Sequence, residues 1–168
     1  MKLAYVLTDQ TGELNRALAA TAQALIAQGV RVAGTTQTDT PRPKTHHCDM
    51  DVKVLPDGPI LRISQDLGEG AKGCRLDADA LERAVGLTLP RLDDAELLII
   101  NKFGKHEAEG RGFREVIAEA LSRDIPVLVG TNALNVEAFQ TFCDGLAISL
   151  PADTDALLGW LRPTANAA

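Results

Sequence analysis

Short apolar runs alternate along this chain with longer segments whose apolar residues recur at helical spacing. "KLAYVL" (Lys2–Leu7) reads as a strand, and the polar turn "TDQTG" leads into a helix over Glu13–Gln28. Leu14, Leu18, Thr21, Ala22 and Leu25 form one face of that helix, and Gly29 stands at its C-terminal cap position. "VRVAGTT" (Val30–Thr36) predicts a second strand, and "TDTPRPKTHHCD" a polar loop containing prolines. "MDVKVL" and "ILRIS" flank the turn signal "PDGP" and predict a hairpin over Met50–Ser64. The glycine-rich "QDLGEGAKGCR" then leads to a helix beginning near Asp77, with Asp79 and Glu82 in its early turns and Pro90 beyond it.

"AELLII" is an almost unbroken apolar run, as expected of a strand covered on both faces by a parallel sheet's helices. After it come a polar loop through Gly112, a helix over about Phe113–Ser122, the strand "IPVLVG", a helix near Val136–Phe142, the strand "LAISL" and a helix over Asp153–Leu161. Strands alternating with helices predict an α/β sandwich of three layers around a mainly parallel sheet, with the hairpin (about residues 49–65) inserted. Its 168 residues, 45% of them hydrophobic, suit one α/β domain over residues 1–168.

Composition removes several function classes. A net charge of -6 argues against a general nucleic-acid surface, and aromatic residues at 4% leave little material for stacking platforms. No apolar run approaches the roughly 20 residues that span a bilayer, and Met1-Lys2 enters the first strand without a signal-peptide pattern. The expectation is therefore a cytoplasmic protein without membrane insertion. Three cysteines in such a chain point to reduced thiols. The hairpin edge offers a surface with which another subunit would pair, so a homo-oligomer stays open.

Ligands of open α/β sheets bind beyond the carboxyl ends of the strands. Three segments reach that edge. "TDQTGELN" brings Thr8, Asp9, Gln10, Thr11, Gly12 and Asn15; "NKFGKHEAEGRG" brings Asn101, Lys102, Gly104, Lys105 and Arg111; "GTNALN" brings Thr131 and Asn132. Arg75, after "GEGAKG", carries a fork able to close over an oxyanion.

With these segments in order, the chain resembles the small P-loop nucleoside-triphosphatases of the thermophile type. It resembles more closely a bacterial domain family of unknown function that looks like a degenerate branch of them and is often encoded beside molybdate-transport functions. "YVLTDQTGELNRALAATAQALIAQGVRVAG" follows the family's layout of strand, phosphate loop, helix and strand, and "LIINKFGKHEAEGRGF" parallels its acidic strand end. The resemblance implies a P-loop-like fold over most of Met1–Thr131. The residues then depart from it. A working phosphate loop needs several glycines, a Lys for the β/γ oxygens and a Ser/Thr for Mg²⁺. Here Gly12 alone remains, the Lys and Ser/Thr positions fall near Leu14 and Asn15, and Asn101-Lys102 replaces the metal-supporting acids.

That exchange predicts a site that favours a bare anion over Mg²⁺ with polyphosphate, approached by Lys102, Lys105, Arg111 and Arg114. The plainer alternative is that Asn101 ends a strand and Lys102 is solvated. The resemblance suggests an oxyanion, molybdate or tungstate, or else a nucleotide, bound by a carrier or sensor working with molybdate-transport or cofactor-assembly proteins, with Mg²⁺ not expected. Two other classes stay open: a divergent Mg²⁺-dependent NTPase or phosphotransferase recruiting Asp9, Glu13 or Glu107, and an interaction module with a vestigial site. Glu107 would orient Lys105 or face water. "THHCDMD" and "GCRLD" supply His46, His47, Cys48 and Cys74 as weak metal candidates, although their spacing matches no standard zinc pattern. Cys143, on an apolar helix beside Phe139 and Phe142, reads as core.

Overall fold

The computed structural model describes residues 2–42, 48–65 and 75–162, with only the backbone of Thr11 and Arg75. The chain runs β1 (Leu3–Leu7), α1 (Thr11–Ala27), β2 (Val32–Pro41), β3 (Cys48–Leu55), β4 (Ile60–Arg62), β5 (Ser64–Gln65), β6 (Arg75–Leu76) and α2 (Ala78–Thr88). A 3-10 turn (Leu89–Asp94) leads to β7 (Leu97–Phe103), then α3 (Lys105–Ala108), α4 (Arg114–Ser122), β8 (Val127–Thr131), α5 (Val136–Phe142), β9 (Ile148–Leu150) and α6 (Thr154–Leu161). Seven strands form one sheet in the order β4-β3-β2-β7-β8-β1-β9, in which β2, β7, β8, β1 and β9 are parallel and β3 and β4 antiparallel. Among the described residues no helix is long and apolar enough to cross a membrane.

β7 explains why the sheet is covered on both faces. Leu97 and Ile99 enter one core with Leu14, Leu18 and Leu25 of α1 and Leu157 of α6. Leu98 and Ile100, pointing the other way, enter a second core with Leu81 and Val85 of α2, Val116 and Ile117 of α4 and Phe139 of α5. All four β7 residues are at most 3% exposed, so an uninterrupted apolar run is what this position requires. The connection from β1 runs to β2 along the first face and that from the adjacent β8 runs to β9 along the second, so their carboxyl ends form a switch point.

The sheet then splits. β2 pairs with β7 only across Val32–Gly34 and Leu97–Ile99, and continues to Pro41 paired with β3 alone. Gly34 turns the chain there with φ +119°, and its Cα lies so close to β7 that an added Cβ would stand 1.8 Å from the Ile99 carbonyl oxygen. β7 keeps its pairing with β8 through a register shift between Ile100 and Phe103. The result is a wedge between the β2–β3 ribbon and the end of β7.

Several boundaries differ from those predicted. The segment read as a loop after Thr36 is strand as far as Pro41, because Thr38–Pro41 finds partners in Cys48–Asp51. Cys48 accordingly lies in β3 and not in a loop. α1 begins at Thr11, two residues before Glu13, since the Gln10 carbonyl accepts from both Glu13 and Leu14 N–H and closes the turn. Asn101 and Lys102 fall within β7, and the polar loop after it contains the short α3. The β5–β6 ladder was not predicted; it delivers the chain to Asp77, whose carboxylate caps α2 by accepting from Ala80 N–H at 3.1 Å.

Gly34→Ala is expected to cost on the order of 3 kcal/mol in urea unfolding, combining left-handed strain with backbone collision. A loss below about 1 kcal/mol would show that β2 and β7 can separate freely at this point.

Candidate functional site

The β1–α1 connection contains only Thr8, Asp9 and Gln10. Gln10 N–H donates to Thr8 Oγ1 at 3.1 Å, while Asp9, Gln10 and Gly12 are exposed. Thr11 and Gly12 already lie in the first helical turn, where the Arg16 guanidinium approaches Gly12 closely enough to meet an added Cβ at 3.2 Å. Leu14, at the position where the resemblance places a phosphate-binding Lys, is buried in the core with Leu18 beside Gly130.

Asn15 and Asn101 meet at the wedge. Asn101 Nδ2 donates to Asn15 Oδ1 at 2.9 Å, and Asn101 Oδ1 accepts from Gln37 N–H at 3.1 Å, where the β2–β7 ladder has stopped. Asn101 is 2% and Asn15 7% exposed, so both amides are committed inside the fold. Asn15 Nδ2 reaches Asp39 Oδ2 at 3.3 Å, and Asp39 Oδ1 accepts from Gln37 Nε2 at 2.8 Å. Gln37 and Asp39 were missed from sequence because they lie beyond Thr36, where the predicted strand ended; the alternating threonines of "TTQTDT" were the available signal.

Past β7 the cations diverge. Lys102 is exposed, with its stem folded against Gly104, whose added Cβ would meet Lys102 Cε at 3.3 Å. Lys105 is exposed and pairs loosely with Glu109 at 4.0 Å; Arg111 also pairs with Glu109, at 2.8 Å. Arg114 lies over the Phe142 ring and donates to the Glu107 carbonyl at 3.4 Å. Glu107 neither orients Lys105 nor faces water. It is 3% exposed, and its carboxylate accepts from Gly104 N–H at 2.9 Å and Phe113 N–H at 3.1 Å, fastening both ends of the loop. The Gly-x-x-Glu spacing of a helix start was the signal for this role. His106 Nε2 lies 2.8 Å from Glu82 Oε1, which also accepts from Gly112 N–H at 2.9 Å.

Thr131 is buried and donates from Oγ1 to the Phe103 carbonyl at 2.9 Å, joining β8 to β7 beyond the register shift. Asn132 Oδ1 accepts from the backbone and side chain of Asn135 at 3.0 and 2.9 Å and shapes the turn into α5. Arg75 pairs its backbone with Gln65 in β6. His46, His47 and Cys74 lie outside the described residues; among those described, no group of three or more His, Cys, Asp or Glu is placed to hold a metal ion. Cys143 is buried in the second core.

Of the predicted residues, Asn101, Lys102, Gly104 and Lys105 gather around one cavity of about 260 Å³ in the wedge. Thr35, Gln37, His106 and Glu107 add polar lining, and Met50, Val52, Ile63, Leu76, Leu81 and Phe113 supply apolar walls. Thr8, Asp9, Gln10, Gly12, Asn15 and Asn132 do not line it, and Arg111 borders a separate depression with Asp79, Glu82 and Glu115.

Residues 3–160 match a family described as protein of unknown function (DUF2478). The chain is 32% identical over 166 residues to molybdenum import ATP-binding protein ModC 2 of Bradyrhizobium diazoefficiens, covering 98% of this chain but only 18% of that protein's length. Two solved structures share the fold. THEP1 from the hyperthermophile Aquifex aeolicus superposes with a TM-score of 0.67 at 15% identity, over 96% of this chain and 97% of that one. A human cancer-related nucleoside triphosphatase gives 0.61 at 14%, over 96% and 94%. The architecture is thus that of the P-loop nucleoside-triphosphatases.

Burial pushes the Glu107 carboxyl above the usual carboxylate range, against the opposing pull of the Gly104 and Phe113 N–H groups. Folding therefore favours its protonated form. The stability that protonation contributes is fully present below the unfolded value of about 4.3 and is lost as pH rises through the higher folded value. Glu107→Gln, which turns one acceptor into a donor facing a backbone N–H, is expected to cost about 1–3 kcal/mol at neutral pH. Urea unfolding from pH 4 upward should show the wild-type advantage shrinking across that window, and a pH-independent difference would contradict the assignment.

Proposed function

Because the chain belongs to the DUF2478 family and carries a P-loop nucleoside-triphosphatase fold, we propose that it binds a small anion at the carboxyl edge of its sheet, without Mg²⁺-dependent hydrolysis. The observation that carries this reading is the bond between Asn15 and Asn101. These two residues stand where the resemblance places a Mg²⁺-bound hydroxyl and its supporting acid, and each spends its amide on the other. Neutral amides in place of a charged ligand set give a divalent cation little to bind. Lys102, which is exposed and makes no ion pair among the described residues, supplies a cation at the same strand end.

The ligand class is an oxyanion, with molybdate or tungstate the specific choice, or a nucleotide, and the protein acts as carrier or sensor. The name of the ModC 2 relative, which couples molybdenum import with ATP binding, supports both choices. A second reading, a divergent Mg²⁺-dependent phosphotransferase, is favoured by Asp39, whose carboxylate touches Asn15. It differs from the expectation drawn from sequence, which recruited Asp9, Glu13 or Glu107, in that both Glu107 oxygens accept backbone N–H groups.

Thermal unfolding with molybdate, tungstate, sulfate, phosphate, ADP, ATP and GTP, with and without Mg²⁺, tests the reading. A ligand at a hundred times its Kd adds about 2.7 kcal/mol. Stabilisation without Mg²⁺ is expected, and Lys102→Ala should weaken the stabilising anion at least about tenfold, near 1.4 kcal/mol. Mg²⁺-dependent phosphate release that disappears in Asp39→Asn would instead establish the phosphotransferase.

A further inference from the structure

We infer that the wedge cavity is a binding site for a small organic anion, with an apolar or aromatic body seated beneath α2 and a carboxylate at Lys102. The inference rests on the reading of this chain as an anion binder at this strand edge, and it assigns the cavity itself a ligand class distinct from the oxyanion and nucleotide named above.

Three observations carry it. First, the cavity is built into the second core: Met50 and Val52 from β3, Ile63, Leu76, Leu81 from α2 and Phe113 wall a volume of about 260 Å³. Protein interiors are otherwise close-packed, with few voids larger than water. The size lies just below the roughly 300 Å³ at which pockets for drug-sized molecules begin, which suits a single ring system.

Second, the polar groups within it are already engaged. Asn101 bonds Asn15 and the Gln37 N–H, the Gln37 side chain bonds Asp39, His106 faces Glu82, and both Glu107 oxygens accept backbone N–H groups. An inorganic tetrahedral anion pushed inside would exchange its hydration for apolar walls. An apolar body gains from those same walls.

Third, the cations are at the mouth. Lys102 and Lys105 border the cavity and are exposed, and Lys102 keeps its stem against Gly104. The Lys105–Glu109 pair, 4.0 Å long and with the Lys side chain 88% exposed, leaves that ammonium available. Charge at the rim and apolar surface inside fix the ligand's orientation: carboxylate outward, ring inward.

Methyl-labelled full-length chain observed by NMR tests this, titrated with naphthalene-2-carboxylate and benzoate, with 2-naphthalenemethanol as uncharged control and with sodium molybdate and ATP in parallel. The carboxylates should give saturable shifts at the Met50, Val52, Ile63, Leu76 and Leu81 methyls, and the alcohol should bind about tenfold more weakly. Lys102→Gln, at an exposed position, should weaken the carboxylates about tenfold and leave the alcohol unchanged. Val52→Phe, placing a ring in the cavity, should abolish the shifts. Absence of saturable shifts at those methyls, equal affinity for the alcohol, or strongest shifts at Ile148 and Leu146 would overturn the inference. If molybdate or ATP stabilises the chain while the carboxylates leave those methyls unmoved, this inference fails and the proposed function survives. If the carboxylates bind and neither molybdate nor ATP does, the cavity assignment holds and those ligand identities fall.

Discussion

The parting of β2 from β7 at Gly34 determines what the carboxyl edge of this sheet can do. Two parallel strands that separate within a sheet leave unpaired N–H and C=O groups, which burial makes costly. Asn101 resolves part of that cost by accepting from the Gln37 N–H, while the Asn101 N–H lies 3.5 Å from Thr35 Oγ1. One side chain thus substitutes for a ladder bond where the strands diverge. The cavity, the exposed Lys102 and the β2–β3 ribbon all follow from that divergence.

The same side chain bears on what charge this position can hold. A carboxylate at position 101 would face Asn15 and the Gln37 N–H from a site that is nearly closed to water, and an uncompensated buried charge costs several kcal/mol. A bound cation would offset that cost; without one, a neutral amide that both donates and accepts fits better. Asn101 does both, giving to Asn15 and taking from Gln37. Asp39, nearby and only half-buried, receives hydrogen bonds from Gln37 and Asn15. Its contribution is to orient the amides that close the wedge.

Sequence made the central elements legible for a physical reason. β7 needs apolar residues on both faces, so "LLII" announces it without reference to any other part of the chain. The extension of β2 was hidden because its residues from Thr38 onward are largely exposed and its partner, β3, has to be found elsewhere in the sequence. The joint role of Asn15 and Asn101 was half visible: their positions stood where the resemblance places metal-supporting groups, but their bond joins α1 to β7, which only the fold brings together. Lys102, Lys105, Arg111 and Arg114 read as a cluster along the chain, yet a short helix turns them to different surroundings. Spacing gave proximity in sequence, and only the loop fastened by Glu107 decides direction.

A P-loop fold ordinarily concentrates its binding energy in backbone N–H groups aimed at phosphate, which requires an open glycine-rich loop before the first helix. Here that helix begins almost at the end of β1, and Leu14 and Leu18 use the space beside Gly130 for packing. On the first face this packing occupies the space beside Gly130, whereas the second, beneath α2, holds the cavity. With the net charge at -6, an approaching anion meets an unfavourable field everywhere except near locally exposed cations. Lys102 and Lys105 stand at the mouth of the remaining space, so electrostatics and packing select the same place on the fold. Under the proposed reading, the sheet is retained while the usable volume lies in the wedge, so a different ligand would need no change of architecture.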